Sequence, residues 1–374
     1  MIEPTSLAVT RLDNIRANLE AIRARVGSRL VLAAVKADAY GHGAVAVARM
    51  IQDSKTADWL GVASVGEGLE LRAAGITLPI LKLSMTRHPE ETLAAVSNAI
   101  TLTVTDTTSI VAAAAAAVEA GVVADVHLKI DTGMHRIGCR PEQAVELATL
   151  IDRTAALSLG GVFSHLPISD VPAGADFTAG QVRLFTETVA QIESARGPVR
   201  LKHLANSGAV LNHPDAWLDM VRPGIIIYGA YPDPASEHTV ALRPGLEWST
   251  YLSFVKKVHA GDSVSYGLTW TAETDTWVGT LPIGYADGYS RLFSSRGRVL
   301  VGGRSCPVIG RICMDQTLID LGPTTDSVVG DEVVLIGSDG GNEITTTELA
   351  ELMGTIPYEV TCLLTRRVGR EHLS

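Results

Sequence analysis

Lys36 is the first residue in this chain whose placement suggests chemistry. In LVLAAVKADAYGHG (residues 30–43) an apolar run ends on that lysine, and Asp38, Tyr40 and His42 follow within a turn punctuated by Gly41 and Gly43. The run is too short for a helix and reads as a parallel strand buried on both faces. The C-terminal end of such a strand faces the ligand in barrels and open α/β sheets, so an amine there is better placed for chemistry than one on a helix. On position alone a solvated loop lysine fits equally well, and it is the polar cluster behind Lys36 that favours the chemical reading. Two other stretches have the make-up of phosphate holders. Asn206-Ser207-Gly208 and Pro223-Gly224-Ile225 each follow an apolar run and offer backbone N–H groups without side-chain bulk, the first with a hydroxyl as well. Either alone is an ordinary turn; a pair of them at consecutive strand ends matches a frequent phosphate position in barrel folds. Arg222 stands between Val221 and the apolar run 225–228, a setting that disfavours a surface arginine.

The elements that must position these residues follow a rhythm. Eight apolar runs, at 30–35, 59–63, 80–83, 100–104, 126–130, 159–163, 201–204 and 225–228, alternate with amphipathic or alanine-rich stretches, which is the pattern of βαβ units. Eight strands with eight crossovers predict an α/β fold, a (β/α)8 TIM-type barrel of about 200 to 250 residues. An open doubly wound sheet is the runner-up on the pattern alone. After residue 239 short, often alternating runs are separated by Gly261-Asp262, Gly302-Gly303, Gly330-Asp331 and Gly340-Gly341, with no long helix before 346–353. The predicted organisation is a barrel over 9–238 and a mostly β domain over 239–374.

Composition narrows the partners. The chain has 374 residues, of which 46% are hydrophobic, enough for one large and one smaller core. Against 41 acidic residues stand 31 basic ones, a net charge of −10, and no basic cluster marks a nucleic-acid or anionic-membrane surface. The N-terminus lacks the pattern of a secretory signal, and the apolar stretch 110–126 is interrupted by Glu119, Gly121 and Asp125. Four cysteines without CxxC spacing fit a reducing cytoplasm, and no metal-ligand pattern accompanies them.

The stretch around Lys36 resembles the pyridoxal-phosphate lysine motif of the alanine racemases. The resemblance continues, in the family's order, through KIDTGMHRIG (129–138), HLANSGA (203–209), VRPGIIIYG (221–229), VSYGLTW (264–270), IGYADGY (283–289), RICMDQ (311–316) and PYEV (357–360). It spans nearly the whole chain and favours the barrel over the open sheet. It implies a β domain that borrows its first strand from the N-terminus, here residues 1–8 with the run 7–10. It also implies interconversion of L- and D-alanine on pyridoxal 5'-phosphate, with Lys36 carrying the coenzyme and serving as one base and Tyr266 as the other. Coenzyme contacts are implied for Tyr40, His165, Asn206, Ser207, Arg222, Gly224, Ile225 and Tyr358; Tyr40 and Tyr358 could equally be packing tyrosines. By the same resemblance Arg222 is expected to face the pyridine nitrogen and, unable to give up its proton, to make the ring a weaker electron sink. A phenol of pKa about 10 is only about 0.1% ionised at pH 7, so a tyrosine base needs positive neighbours. In the family these come through a histidine bonded to the arginine, here His165, although Pro167 and Ile168 stand where the family has small residues before Asp170.

For the substrate, the resemblance implies Arg136 and the Met314 N–H at the carboxylate, with Tyr285 and Asp315 near the entrance. Lys129 corresponds to a lysine carbamylated in many relatives; a solvent-turned lysine is the alternative. The family pattern further implies a homodimer with shared active sites, each taking Tyr266, Tyr285, Met314 and Asp315 from the second subunit, and a role in D-alanine supply for peptidoglycan. A serine or broad-specificity racemase remains open. An amino-acid decarboxylase of the same architecture would place an acid, not Arg222, at the ring nitrogen. A non-catalytic coenzyme-homeostasis protein would be a bare barrel, and a merely structural α/β protein would not need two bases and two phosphate turns together.

Overall fold

Strand β1 (Leu7–Arg11) alternates between buried and half-buried positions, as expected of a strand with one face on a core. The computed structural model to which it belongs describes residues 4–374, so positions 1–3 of the expected N-terminal strand lie outside the described residues. The chain divides into one unit comprising the residues up to Asn14 with Pro244–Ser374, and another comprising Ile15–Arg243. The divide falls at Pro244, a few residues beyond the 238/239 boundary read from the sequence, and β1 extends to Arg11.

In the unit Ile15–Arg243 eight parallel strands form a nearly closed barrel: β2 (Leu30–Ala34), β3 (Trp59–Val62), β4 (Ile80–Lys82), β5 (Ile100–Val104), β6 (Ala124–Lys129), β7 (Leu157–Phe163), β8 (Leu201–His203) and β9 (Met220–Val221). β3 and β5 are buried at every position, the mark of strands covered on both faces. Leu32, Trp59, Leu81, Leu201 and Met220 pack together as one apolar cluster of this unit. No ladder joins β8 to β9; the ring closes through Asp219 N–H to Lys202 O at 3.1 Å and Arg222 N–H to Ala205 O at 2.8 Å. Helices between the strands begin on identifiable caps. Ser64 and Glu67 form a capping box for Val65–Ala73, and Asp106 with Ser109 does the same for Thr107–Ala120, which ends on a left-handed Gly121.

The eighth strand is not where the sequence places it. Ile225–Tyr228 is a turn of 3-10 helix, and Met220–Val221 takes the ladder position beside β2, with Leu30 opposite Met220 and Val31 opposite Val221. Pro223 has no N–H to give to a ladder, and Ile227 N–H turns back to Gly224 O at 2.9 Å, so the branched residues bury themselves without pairing.

The other unit is a mostly antiparallel sheet. β10 (Leu246–Tyr251) pairs with β1, which also pairs in parallel with the last strand, Gly369–Leu373, so the N-terminal strand sits inside the sheet. In its core Trp248 packs edge to face with Tyr289, whose ring is tilted against that of Phe293.

Candidate active site

Lys36 leaves β2 into an unusual turn. Ala37, Asp38, Ala39 and Tyr40 are all left-handed, with φ of 52°, 52°, 53° and 56°. At about 1–2 kcal/mol for each such residue, the four cost on the order of 4–8 kcal/mol, which specific contacts must offset. Ala39 N–H donates to Val35 O and Gly43 N–H to Asp38 O, both at 2.9 Å, while Ala37 N–H donates to Glu67 Oε1 at 2.8 Å. Asp38 Oδ1 accepts from Ala44 N–H at 2.7 Å and starts the next helix, Ala44–Ser54. Nδ1 of buried His42 lies 3.0 Å from the carbonyl oxygens of both Ala39 and Tyr40, so that nitrogen carries the proton. The His42 ring stacks on Tyr228, whose hydroxyl donates to Ala34 O at 2.8 Å. The turn brings Lys36 Nζ to 5.9 Å from the centre of the Tyr40 ring.

Tyr40 in turn meets the two glycine turns. A Cβ on Gly224 would stand 2.4 Å from the Tyr40 hydroxyl oxygen, so this close approach requires glycine. Gly224 N–H donates to Ser207 Oγ at 2.8 Å, which leaves the Ser207 proton for an anion. The Asn206 side chain is spent on the loop: Oδ1 accepts from Ala209 N–H at 3.1 Å and Ser169 Oγ at 2.7 Å, and Nδ2 donates to Leu166 O at 2.8 Å. Ile225, buried, opens the 3-10 turn that follows.

Arg222 is buried and anchored on every side. Nη2 donates to Ser164 O at 2.6 Å and Leu204 O at 3.1 Å and lies 3.4 Å from His165 Nδ1, while Nη1 lies 2.9 Å from His203 Nδ1. An arginine only donates, so His203 accepts on Nδ1 and carries its proton on Nε2, 2.9 Å from His127 Nδ1. His127 must then be protonated on Nε2, which has no hydrogen-bond partner among the described residues and belongs to a ring 5.5 Å from that of Trp59. Burial, then the neighbouring arginines, push His127 down to about 3, and burial and Arg222 hold His203 and His165 well below the usual histidine range. All three are neutral at pH 7. Arg222 itself, lowered by burial to about 9, stays cationic. His165 is therefore an acceptor beside a buried cation rather than a charge of its own. Its loop, despite Pro167 and Ile168, is tied by Gln181 Nε2 to His165 O at 3.4 Å and by Asn206 to Leu166 O.

Lys129 ends β6 buried, its Nζ 5.3 Å from the centre of the Phe163 ring, with no ion-pair or hydrogen-bond partner among the described residues. Burial first, then Arg222 and Arg136, push it down to about 7, while Asp131 pulls the other way. Asp131 Oδ1 accepts from the N–H groups of Gly133 and His135 at 3.0 Å each, shaping the loop that carries exposed Arg136. Lys36, Lys129, Arg136 and Arg222 all act on His165 as repelling cations. Cations grouped at the mouth of a barrel are costly unless anions join them.

In the unit containing Pro244–Ser374, Tyr266 lies on a loop with Ser265, Gly267 and Leu268 at φ of 64°, 74° and 47°. It is 72% exposed, and Tyr285 and Met314 are 42% and 52% exposed. Ser265, Tyr266, Cys313, Met314, Asp315, Gln316 and Leu318 line a cavity of about 640 Å³. Among the described residues no acceptor faces the Met314 N–H, whereas its carbonyl accepts from Ala286 N–H at 3.0 Å. Arg367 lies 3.1 Å from Asp287 and 2.8 Å from Asp315, and so ties the segment that carries Tyr285 to the one that carries Met314. Tyr358 sits in the helix Pro357–Cys362 of this unit.

Sequence reasoning passes over His127, His203, Glu67 and Arg367. S-V-G-E at 64–67 is readable as a capping box, but nothing local reveals that the second Glu67 oxygen reaches Ala37. It also passes over Lys82, a buried lysine at the end of β4. That amine spends its protons on Ser84 O, Ser84 Oγ and Met85 O and lies 3.9 Å from Glu91, a structural role.

Residues 10–232 match the family model described as alanine racemase, N-terminal domain, and residues 245–372 the one described as alanine racemase, C-terminal domain. The chain belongs to the alanine racemase family. The alanine racemase of Cutibacterium acnes is 50% identical over 365 residues, 98% of this chain and 97% of that protein. The alanine racemase structure from Clostridium difficile 630 superposes with a TM-score of 0.93 at 37% identity, over 100% of this chain and 97% of that one. The Bacillus anthracis alanine racemase solved with bound L-Ala-P gives 0.92 at 32% identity, over 100% and 96%. With the family come its enzymatic character and its architecture of barrel plus β domain.

Proposed function

We propose that this enzyme interconverts L-alanine and D-alanine with pyridoxal 5'-phosphate held on Lys36. The observation that carries the reading is the set of cations at the barrel mouth, Lys36, Lys129, Arg136 and Arg222, with Asp131 as the acid acting on Lys129. A flat coenzyme bearing a phosphate, a phenolic oxygen and an aldehyde fits that donor set: the Ser207 hydroxyl, the Gly224 turn and Tyr40 for the phosphate, an arginine for the ring nitrogen, and an amine for the aldehyde. Asn206 would shape the phosphate loop rather than donate to it, and Ile225 and Tyr358 would complete the cradle. When bound, the coenzyme supplies an electron sink that makes the α-hydrogen of an amino acid removable.

Lys36 Nζ would take or return that proton on one face of the α-carbon, and the Tyr266 hydroxyl would do so on the other. Arg222, fixed by Ser164, Leu204 and His203, would donate to the ring nitrogen and leave it without a proton, which moderates the sink and favours prompt return of the proton. Arg136 and the Met314 N–H would hold the substrate carboxylate, with Tyr285 and Asp315 at the entrance. A carbamylated Lys129 would orient Arg136. Tyr266, Tyr285, Met314 and Asp315 would come from the partner subunit of a homodimer, and their exposure in the single chain supports this.

The product would feed peptidoglycan synthesis in the cytoplasm. In support of that setting, all four cysteines are unpaired, and among the described residues no helix is long and apolar enough to cross a membrane. Borohydride reduction of the holoenzyme followed by peptide mapping should place the pyridoxyl group on Lys36, and α-hydrogen exchange in heavy water should be fastest with alanine. A label on Lys129 or Lys202, or no exchange with alanine, would end the reading.

A further inference from the structure

We propose that Glu67 is a positioning residue for Lys36 and Tyr40, holding the left-handed turn between them in the shape that presents both to the coenzyme. The proposal rests on the assignment of Lys36 as the coenzyme lysine. Its basis is a carboxylate that bonds two strand ends at once. Glu67 Oε2 accepts from Ala63 N–H at 2.7 Å and Ser64 N–H at 3.1 Å, where the helix Val65–Ala73 starts just after β3. Oε1 reaches to the neighbouring strand end and accepts from Ala37 N–H at 2.8 Å.

That amide lies just beyond the strand and has a side chain as its acceptor. Val35 N–H, two residues earlier, still donates to a strand carbonyl, that of Gly61 at 2.9 Å. Ala37 is the first of four left-handed residues, and its N–H belongs to the peptide that joins Lys36 to them. An acceptor at that point settles where the strand ends and the turn begins, and so the direction in which Lys36 and Tyr40 leave the backbone. A helix cap alone would require only Oε2. Ser64 Oγ, which accepts from Glu67 N–H at 3.2 Å, belongs to the cap and makes no bond to the turn.

The two roles can be separated. Glu67→Gln keeps one acceptor oxygen, which two N–H groups of the cap claim against one from Ala37, so the cap should survive while Ala37 loses its acceptor. Ser64→Ala removes the cap's other half and leaves Ala37 bonded. A hydrogen bond to a charged acceptor corresponds to roughly ten- to hundredfold in an equilibrium. Glu67→Gln should therefore speed amide hydrogen exchange in the segment 36–43 about tenfold or more, with the helix Val65–Ala73 unchanged. Coenzyme dissociation constant and kcat should each worsen about tenfold, with little change in KM. Ser64→Ala should leave the turn, the coenzyme affinity and kcat as they are. Glu67→Asp, whose shorter arm cannot span both strand ends, should fall with Glu67→Gln and serves if that variant folds poorly. Unchanged exchange over 36–43 in both Glu67 variants would overturn the proposal, as would faster exchange with unaltered coenzyme affinity and kcat. Borohydride mapping of the unsubstituted enzyme on the same samples tells the two levels apart: a label elsewhere than Lys36 overturns the underlying assignment, whereas a label on Lys36 with silent Glu67 variants overturns only the role of Glu67.

Discussion

Lys129 should take up carbon dioxide, and the amount should follow from its surroundings. Carbamate forms when a neutral amine attacks carbon dioxide, making an N–C bond and releasing one proton, so the neutral fraction controls the yield. An ordinary lysine of pKa about 10.4 is about 0.04% neutral at pH 7. Burial, Arg222 and Arg136 push Lys129 down to about 7, which makes about half of it neutral, a gain on the order of a thousandfold. The same two arginines that repel the ammonium attract the carbamate anion, so the product is favoured as well as the reactant. The expected outcome is that labelled bicarbonate at pH 7 to 8 gives one carbamate carbon in the nuclear magnetic resonance spectrum, absent in Lys129→Ala. That variant should lose activity that small carboxylate ions partly restore. The sign of the stability effect is also set. The folded-state pKa lies below the unfolded one, so the unmodified native state carries the full cost of the buried ammonium below about pH 7 and is relieved of it as pH rises towards about 10.4. Without bicarbonate, thermal stability should therefore contain a component that increases from pH 6 to pH 9 and disappears in Lys129→Ala. A spectrum with no carbamate at saturating bicarbonate and pH 8, in enzyme that is fully active, would refute the reasoning.

Three other outcomes are expected. Arg222→Glu should slow racemisation and raise side transamination, measured as pyruvate released; an unchanged rate would remove Arg222 from the site. Gly224→Ala places a methyl group 2.4 Å from the Tyr40 hydroxyl oxygen, an overpacking of about 1–3 kcal/mol, so coenzyme affinity should fall roughly 5- to 150-fold with the barrel still folded. Lys36→Ala and Tyr266→Ala homodimers should each be nearly inactive, and co-refolding equal amounts should restore roughly a quarter of wild-type activity, because half the dimers are mixed and one of their two sites keeps both bases. Tagged heterodimers with no activity would place both bases in one chain.

The parts of this molecule that are legible in its sequence are those whose residue types carry their own local signal. An apolar run closing on Lys36 reads as a buried strand with an amine at its end, and β2 stops one residue short of Val35. Residues 225–228 read as a strand because three isoleucines and a tyrosine have β-forming shapes, yet Pro223 removes the donor a ladder needs and the segment coils into a 3-10 turn. The turn after Lys36 is illegible for the opposite reason. Ala37, Asp38, Ala39 and Tyr40 include no glycine or asparagine, the residues that announce positive φ, and the conformation is held by side-chain bonds from Glu67 to Ala37, from Asp38 to Ala44 and from His42 to the Ala39 and Tyr40 carbonyls. The same holds for the chain from Arg222 through His203 to His127. His127 and His203 lie 76 positions apart on different strands, and only closure of the barrel turns two buried histidines into a wire with one allowed proton arrangement. Local propensity and tertiary demand thus disagree at the lysine turn and agree across most of the barrel. Disagreement of that kind persists where something other than stability selects it. A turn costing several kcal/mol beside an amine at the barrel mouth is therefore itself an argument that Lys36 must be held in one direction, independent of any resemblance. If that is right, replacing Ala37 and Ala39 by glycine should make the turn easier to form and Lys36 less well directed, raising thermal stability while lowering kcat. A pair of glycines that raised both would mean the strain has no role at the site.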